Sequence, residues 1–138
     1  MVKITKLAQR FKRMKKAISI PGAPTPIGPY SQAIVANNQC FVSGQIPVNP
    51  NTGEMVLSSI TESTKQVMEN VKALIVEAGF EMTDIVKCSI FLESMDDFAE
   101  MNEVYASYFQ QTPPARETVA VKTLPKNAPV EISCIAMK

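Results

Sequence analysis

Apolar and polar positions follow two different periods along this chain. Residues 85–92 are rich in β-branched side chains, and residues 130–137 alternate an apolar face with a face that begins at Glu131. Both patterns predict β-strands. Three shorter strands are predicted over residues 32–36, 40–43 and 118–123. The Asn37-Asn38 pair between the first two favours the left-handed turn of a hairpin.

Two segments carry apolar residues at helical spacing. The first opens at Ser59, which stands three residues before Glu62 as in a capping box, and is predicted to end at Gly79. The second begins near residues 94–97, where Asp96 and Asp97 favour the helix dipole, and Pro113-Pro114 stops it. The order ββαβαββ predicts an α+β domain in which two helices pack on one face of a mixed β-sheet, with a right-handed crossover.

The first 17 residues differ in kind from the rest. They hold seven basic residues and no acid, whereas residues 18–138 have a net charge of −6. We therefore divide the chain into a basic leader, 1–17, and a single domain, 18–138. Apolar residues at helical spacing in the leader fit a mitochondrial-type presequence or a membrane-surface helix, and a poorly ordered leader ahead of an alternative start at Met14 fits as well.

Composition excludes several classes of function. With 138 residues, 46% hydrophobic and 20% charged, and no apolar run long enough to span a bilayer, the chain reads as soluble and globular. Histidine is absent, which excludes every mechanism built on an imidazole. The acidic domain lacks the basic face expected of a nucleic-acid-binding protein. Its three cysteines, Cys40, Cys88 and Cys134, form no CxxC pair and read as buried, reduced thiols.

Arg116 is the one arginine outside the leader, directly after Pro113-Pro114-Ala115. A guanidinium binds a carboxylate or phosphate through two parallel hydrogen bonds, which lysine cannot copy. A surface salt bridge with Glu117 is the alternative interpretation.

Glu131 shares its strand face with Ile135 and Met137. Partial desolvation there would raise its proton affinity and make it a usable base near neutral pH, and a solvated carboxylate is the alternative. Tyr30 and Gly44 could line a pocket. The residues alone thus predict a small α+β protein that binds an anionic small molecule through Arg116.

Five short segments, in this order, carry a resemblance to a known family. They are Gly28-Pro29-Tyr30-Ser31-Gln32-Ala33, Ser43-Gly44-Gln45-Ile46-Pro47, Pro114-Ala115-Arg116, Leu124-Pro125-Lys126 and Val130-Glu131-Ile132. Together they resemble the signature of the reactive intermediate deaminase A (RidA, YjgF-type) family. The resemblance implies a chorismate-mutase-like fold and a homotrimer with clefts between subunits. It also implies hydrolysis of 2-imino acids, which arise from enamines released by pyridoxal-phosphate enzymes, to 2-keto acids and ammonia. That reaction requires neither metal nor cofactor, and the reduced cysteines favour a cytoplasmic location.

The resemblance also implies roles for individual residues. Arg116 would grip the substrate carboxylate and Glu131 would position or activate water. Cleft-lining positions match Tyr30, Gly44, Asn102 and the backbone around Thr118. Glu117 stands where the family often has serine, so it could compete for Arg116.

Three alternatives stay open at this point. Some family members are labelled endoribonucleases and act as translation inhibitors, and the basic leader could attract RNA. A non-enzymatic, ligand-sensing or chaperone-like trimer is the second alternative. The third concerns location, since the leader could direct the protein to a mitochondrial-type organelle.

Overall fold

The computed structural model describes residues 14–21 and 26–138 of the chain. Its strands are β1 (Lys16–Ile18), β2 (Ala33–Ala36), β3 (Gln39–Gln45), β4 (Ile85–Leu92), β5 (Ala115–Ala120) and β6 (Val130–Met137). Its α-helices are α1 (Ile60–Glu77) and α2 (Phe98–Ser107), with short 3-10 turns at Met82–Asp84, Met95–Asp97 and Pro125–Asn127.

The six strands form one mixed sheet in the order β1-β2-β3-β6-β4-β5. Neighbours are antiparallel except β4 and β5, which run parallel because α2 carries the chain back across the sheet between them. Asn37 and Asn38, with φ of 51° and 60°, form the left-handed turn that joins β2 to β3. In β3 a bulge after Val42 sets Ser43 and Gly44 against one residue of β6.

Capping residues fix the ends of α1. The Ser59 hydroxyl accepts a hydrogen bond from the Glu62 N–H at 3.1 Å, as the capping-box spacing predicts. After the C-cap, Gly79 adopts φ of +81°, and Phe80 N–H donates to the Ile75 carbonyl. This is a Schellman ending, which uses a glycine because a side chain would strain the left-handed conformation.

Both described helices pack on the same face of the sheet. The buried core joins α1 and α2 to alternate residues of the strands, among them Cys88, Ile90 and Ile132. On the opposite face, which we call the open face, Phe41, Val119 and Met137 are 41%, 44% and 46% exposed. The predicted α+β class, with two helices on one face of a mixed sheet, is therefore confirmed.

Two strand predictions need correction. The strand predicted at residues 118–123 lies at Ala115–Ala120, since pairing with β4 begins as soon as the chain leaves Pro114. The edge strand β1 was not predicted, and it begins two residues before the predicted domain boundary because Lys16 and Ala17 pair with β2. The rest of the predicted leader, residues 1–13, lies outside the described residues. Neither described helix has the length and apolarity needed to cross a membrane.

Candidate functional site

Arg116 is held in a fixed position on the helix-covered face. Its Nη1 donates a 2.7 Å hydrogen bond to Oδ1 of Asn102, from the neighbouring helix α2. The guanidinium carbon lies 5.6 Å from the ring centre of Phe98 and 5.0 Å from that of Tyr105. Both distances fall within the range of a cation–π contact. The guanidinium is thus oriented by three α2 side chains, although it keeps further N–H donors for a ligand.

Glu117 points to the open face and does not pair with Arg116. Its carboxylate forms an ion pair with Lys87 and accepts a hydrogen bond from the Ser89 hydroxyl at 2.5 Å. These two contacts lower the pKa of Glu117. The alternative of an Arg116–Glu117 salt bridge is therefore wrong, because successive residues of β5 project to opposite faces.

Glu131 lies in a cleft of about 560 Å³ at the end of the sheet. Fourteen residues line the cleft: Ile20, Ile27, Tyr30, Gln32, Ser43, Gly44, Gln45, Ile46, Val48, Pro50, Asn70, Pro125, Lys126 and Glu131. Burial raises the pKa of the half-buried Glu131 carboxyl, as its strand pattern predicts. Within residues 14–21 and 26–138, this carboxylate has neither a hydrogen-bond donor nor a cationic partner.

Gly44 lies directly against Glu131. A Cβ added at Gly44 would lie 2.7 Å from Cδ of Glu131 and would overlap its carboxylate oxygen. The β3 bulge therefore leaves space for the carboxylate only because residue 44 lacks a side chain. Tyr30, which lines the same cleft, is largely exposed.

The six predicted site residues fall into two groups. Tyr30, Gly44 and Glu131 share the cleft, whereas Asn102, Arg116 and Thr118 lie at the β5 edge of the sheet. Thr118 follows Arg116 on the same strand face, and its buried hydroxyl has no hydrogen-bond partner in the described part of the chain. The structure brings each group together but keeps the two groups apart.

The separation of Arg116 from Glu131 follows from sheet register. Glu131 of β6 pairs with Phe91 of β4, and Arg116 of β5 pairs with Cys88, which lies three residues away from Phe91 on β4. Strands β5 and β6 flank β4 on either side. Strand spacings of about 4.8 Å and a rise of about 3.3 Å per residue place the two Cα atoms about 14 Å apart. Their side chains also leave opposite faces of the sheet. One chain therefore cannot direct both groups at the same small molecule.

Some residues of the site were not predicted as such. Phe98 and Tyr105 belong to the second segment with apolar residues at helical spacing, and that spacing gives no sign of the guanidinium they surround. Burial raises the pKa of Tyr105, so its ring stays neutral beside Arg116. Asn70, which is 7% exposed, donates from Nδ2 to the carbonyls of Ile46 and Val48 and so supports the cleft wall. A buried asparagine on a helix gives no sequence signal of its own.

Comparison with known proteins agrees with this architecture. The YjgF gene product of E. coli, a solved structure, superposes with a TM-score of 0.84 at 41% identity and covers 89% of this chain and 98% of its own. The fold is thus that of the chorismate-mutase-like α+β proteins. The family model described as endoribonuclease L-PSP matches residues 21–138. The chain belongs to this family, and the predicted RidA and YjgF-type membership is confirmed.

Two curated relatives define its similarity further. A RutC family protein of Pyrococcus horikoshii is 51% identical over 125 residues, which are 91% of this chain and 99% of the relative. A 2-iminobutanoate/2-iminopropanoate deaminase of Dermatophagoides farinae is 46% identical over 123 residues, 89% of this chain and 96% of the relative. The family thus contains proteins named for deaminase activity together with others named only for the family.

Proposed function

We propose that this protein is a deaminase that hydrolyses reactive 2-imino acids, and the enamines that give rise to them, to 2-keto acids and ammonia. The observation that carries the proposal is the Glu131 carboxylate. It is half-buried in a cleft, has a raised pKa, and lacks any partner among the described residues. A carboxylate in that state is free to accept a proton from water near neutral pH. The 46% identical deaminase of Dermatophagoides farinae supports the same activity.

The chemistry needs few groups. Water adds to the imine carbon while Glu131 accepts one of its protons, and the C=N bond becomes a single bond. Glu131 then returns this proton to nitrogen. The C–N bond breaks as the carbinol oxygen forms the C=O bond and gives its own proton to Glu131, and ammonia leaves behind the 2-keto acid. A protonated imine is already electrophilic, so catalysis here consists of orientation and proton transfer.

Arg116 supplies the orientation in this proposal. Its fork would bind the substrate carboxylate through paired hydrogen bonds. Because the contacts with Asn102, Phe98 and Tyr105 already restrict the guanidinium, less side-chain entropy is lost on binding. Thr118, with its unpartnered hydroxyl, is a second group at that end.

We further propose that each active site forms between two subunits of a homotrimer. The carboxylate carbon and the imine carbon of the substrate are bonded to each other, whereas Arg116 and Glu131 of one chain lie on opposite sheet faces. A neighbouring subunit that brings its Arg116 to the Glu131 cleft would complete the site. The exposed apolar residues of the open face give such an assembly a surface to bury.

The activity test measures ammonia and keto acid from 2-aminoacrylate or 2-aminocrotonate generated enzymatically, with and without the protein. Faster release than the spontaneous rate is expected. Release at the spontaneous rate would contradict the proposal. RNA incubated in parallel should stay intact, and its cleavage would favour the endoribonuclease alternative.

Subunit sharing can be tested by complementation. Arg116→Lys chains and Glu131→Gln chains, each expected to be strongly impaired alone, are unfolded together and refolded as a mixture. Some mixed assemblies would then contain a cleft with wild-type Arg116 from one subunit and wild-type Glu131 from the next. Recovered activity is expected, and its absence in mixed trimers, or a stable monomer in light scattering, would contradict the shared site.

The compartment belongs to the same proposal. Cys40, Cys88 and Cys134 are all buried and free. Free thiols are usual in a reducing compartment. We propose the cytoplasm, and fluorescence microscopy of the tagged full-length chain would distinguish it from an organelle reached through residues 1–17.

A further inference from the structure

The Glu131 cleft is larger than the smallest 2-imino acids require. Its volume of about 560 Å³ lies within the range of about 300–1,000 Å³ that is usual for sites of much larger ligands. Four aliphatic side chains line it, and we call them the aliphatic wall: Ile20, Ile27, Ile46 and Val48. In the single chain, a three-carbon substrate would leave much of this wall in contact with water.

Most polar side chains of the cleft already have partners inside the protein. The Ser43 hydroxyl donates to the Ser31 carbonyl at 2.7 Å, and Gln45 Nε2 donates to the Ser43 carbonyl at 2.9 Å. Gln32 accepts a hydrogen bond from the Ile20 N–H at 3.0 Å. These groups hold the cleft in shape, and their hydrogen bonds make them poor partners for a polar substrate side chain.

Half of the aliphatic wall is held in place by helix α1, whereas Ile27 is 83% exposed. Asn70 Nδ2 donates to the carbonyls of Ile46 and Val48 at 3.2 Å and 2.9 Å, and Gln66 Nε2 donates to Asn70 Oδ1 at 2.9 Å. Helix α1 therefore fixes the segment that carries two of the four wall residues. A fixed apolar surface gains affinity from each methylene that it removes from water, without first being ordered.

We propose that the aliphatic wall binds the substrate side chain, so that the protein prefers 2-imino acids with long, neutral aliphatic side chains, such as the one derived from leucine. The proposal rests on the imine hydrolysis proposed above and names the substrate class of that site. Lys126, which lines the cleft and has no partner among the described residues, is the feature that opposes it. If the charge of Lys126 contributed most of the binding free energy, the protein would instead prefer substrates with an acidic side chain.

The first test compares imines generated by amino-acid oxidases from alanine, leucine and aspartate. We expect kcat/KM for the leucine-derived imine to exceed that for the alanine-derived imine by at least about tenfold, since each well-placed methylene contributes about tenfold or more. An equal or lower value for the leucine-derived imine would overturn the proposal. So would a maximum with the aspartate-derived imine, which would assign the selectivity to Lys126.

A matched pair of variants assigns the preference to the wall. Val48→Phe fills the cleft, and Val76→Phe makes the same change on an exposed residue of α1 that does not line it. The leucine-to-alanine ratio should fall about tenfold in Val48→Phe and stay at the wild-type value in Val76→Phe. A ratio unchanged in Val48→Phe, with a normal melting profile, would overturn the assignment.

Binding separates this proposal from the proposed function. Calorimetry with stable 2-keto acids needs no turnover, and it should give tighter binding of 4-methyl-2-oxopentanoate than of pyruvate or oxaloacetate. If the keto acids bind in this order but no imine is hydrolysed, the deaminase activity is rejected and the proposal that the aliphatic wall binds the side chain is retained. Hydrolysis with the reverse binding order would keep the deaminase activity and reject the wall.

Discussion

The two groups of the candidate site differ in whether their charged side chain has a partner within the protein. At the β5 edge, Arg116 is bound by Asn102 and enclosed by Phe98 and Tyr105 before any ligand arrives. In the cleft, Glu131 is half-buried without a partner in the described chain, and its pKa is raised. A group that binds an anion gains from being fixed, because its charge does not change during the reaction. A group that takes up a proton must stay unpaired, because a cationic partner would lower its pKa.

The largest expected loss of activity follows a substitution of Arg116. Arg116→Lys keeps the charge but removes the planar fork and its contact geometry, so kcat/KM for imine hydrolysis should fall by about 10³-fold while the fold persists. Steady-state kinetics with melting curves checks this. Lys87→Arg, a change of the same size on the exposed ion pair with Glu117, is the control and should keep near-normal activity. Normal turnover in Arg116→Lys would show that the guanidinium does not hold the substrate.

Glu131→Gln keeps the shape of the cleft and removes the base. Single-turnover hydrolysis should slow by about 10²-fold, whereas the affinity for 2-ketobutyrate should be retained. In the wild type, the rate should rise with pH through the raised pKa of Glu131, because only the carboxylate accepts a proton. Stopped-flow rates across pH test both points, since the variant should lack this rise. Loss of binding together with rate would instead make Glu131 a determinant of cleft shape.

Gly44→Ala tests whether the position of the carboxylate matters as much as its presence. The added Cβ would overlap the carboxylate, so Glu131 must turn away from its place in the cleft. We expect about a tenfold loss in kcat, since misplacement of a general base costs less than its removal. Gly53→Ala, at a glycine outside the cleft lining with a φ of +74°, is a control for backbone strain, and it should lower the melting temperature without changing kcat. Full activity in Gly44→Ala would mean that Glu131 acts from more than one position.

The smallest expected effect is on stability. Because the folded pKa of Glu131 lies above its unfolded value of about 4.3, ionisation favours the unfolded chain, and stability is lost as pH rises through the folded pKa. Glu131→Gln should therefore melt with the wild type at about pH 4 and a few degrees above it at about pH 8. Calorimetric scans at both values measure the difference. A variant that melts lower at both would show that the carboxylate makes a stabilising contact.

Residue patterns predicted the interior of the fold better than its edges. The strands at residues 85–92 and 130–137 match β4 and β6, because buried central strands combine β-branched residues with clear alternation. The edge strands β1 and β5 pack on fewer sides, so their sequences constrain them less. By composition, Lys16 resembles the basic leader, although it pairs with β2. The bounds of β5 are set by its parallel pairing with β4.

The site shows the same limit. Arg116 and Glu131 were singled out because an isolated arginine and a strand carboxylate among apolar neighbours are unusual residues. Their assignment to opposite faces depends on the register in which β5 and β6 pair with β4, which is a property of long-range pairing and is not encoded in any local pattern. The surroundings of Arg116 come from a helix that contacts β5 only after the crossover is complete. Local sequence therefore predicts which groups are unusual but not which of them meet.

The exposed apolar side chains of the open face predict that the stability of the fold depends on protein concentration. If Phe41, Val119 and Met137 are buried only when chains associate, the folded state is stabilised by its own concentration. The melting temperature should then rise with protein concentration, as it does for any protein whose native state is a complex. Scans over a hundredfold dilution series would measure the effect, and a constant melting temperature would place the stability of the fold within the single chain.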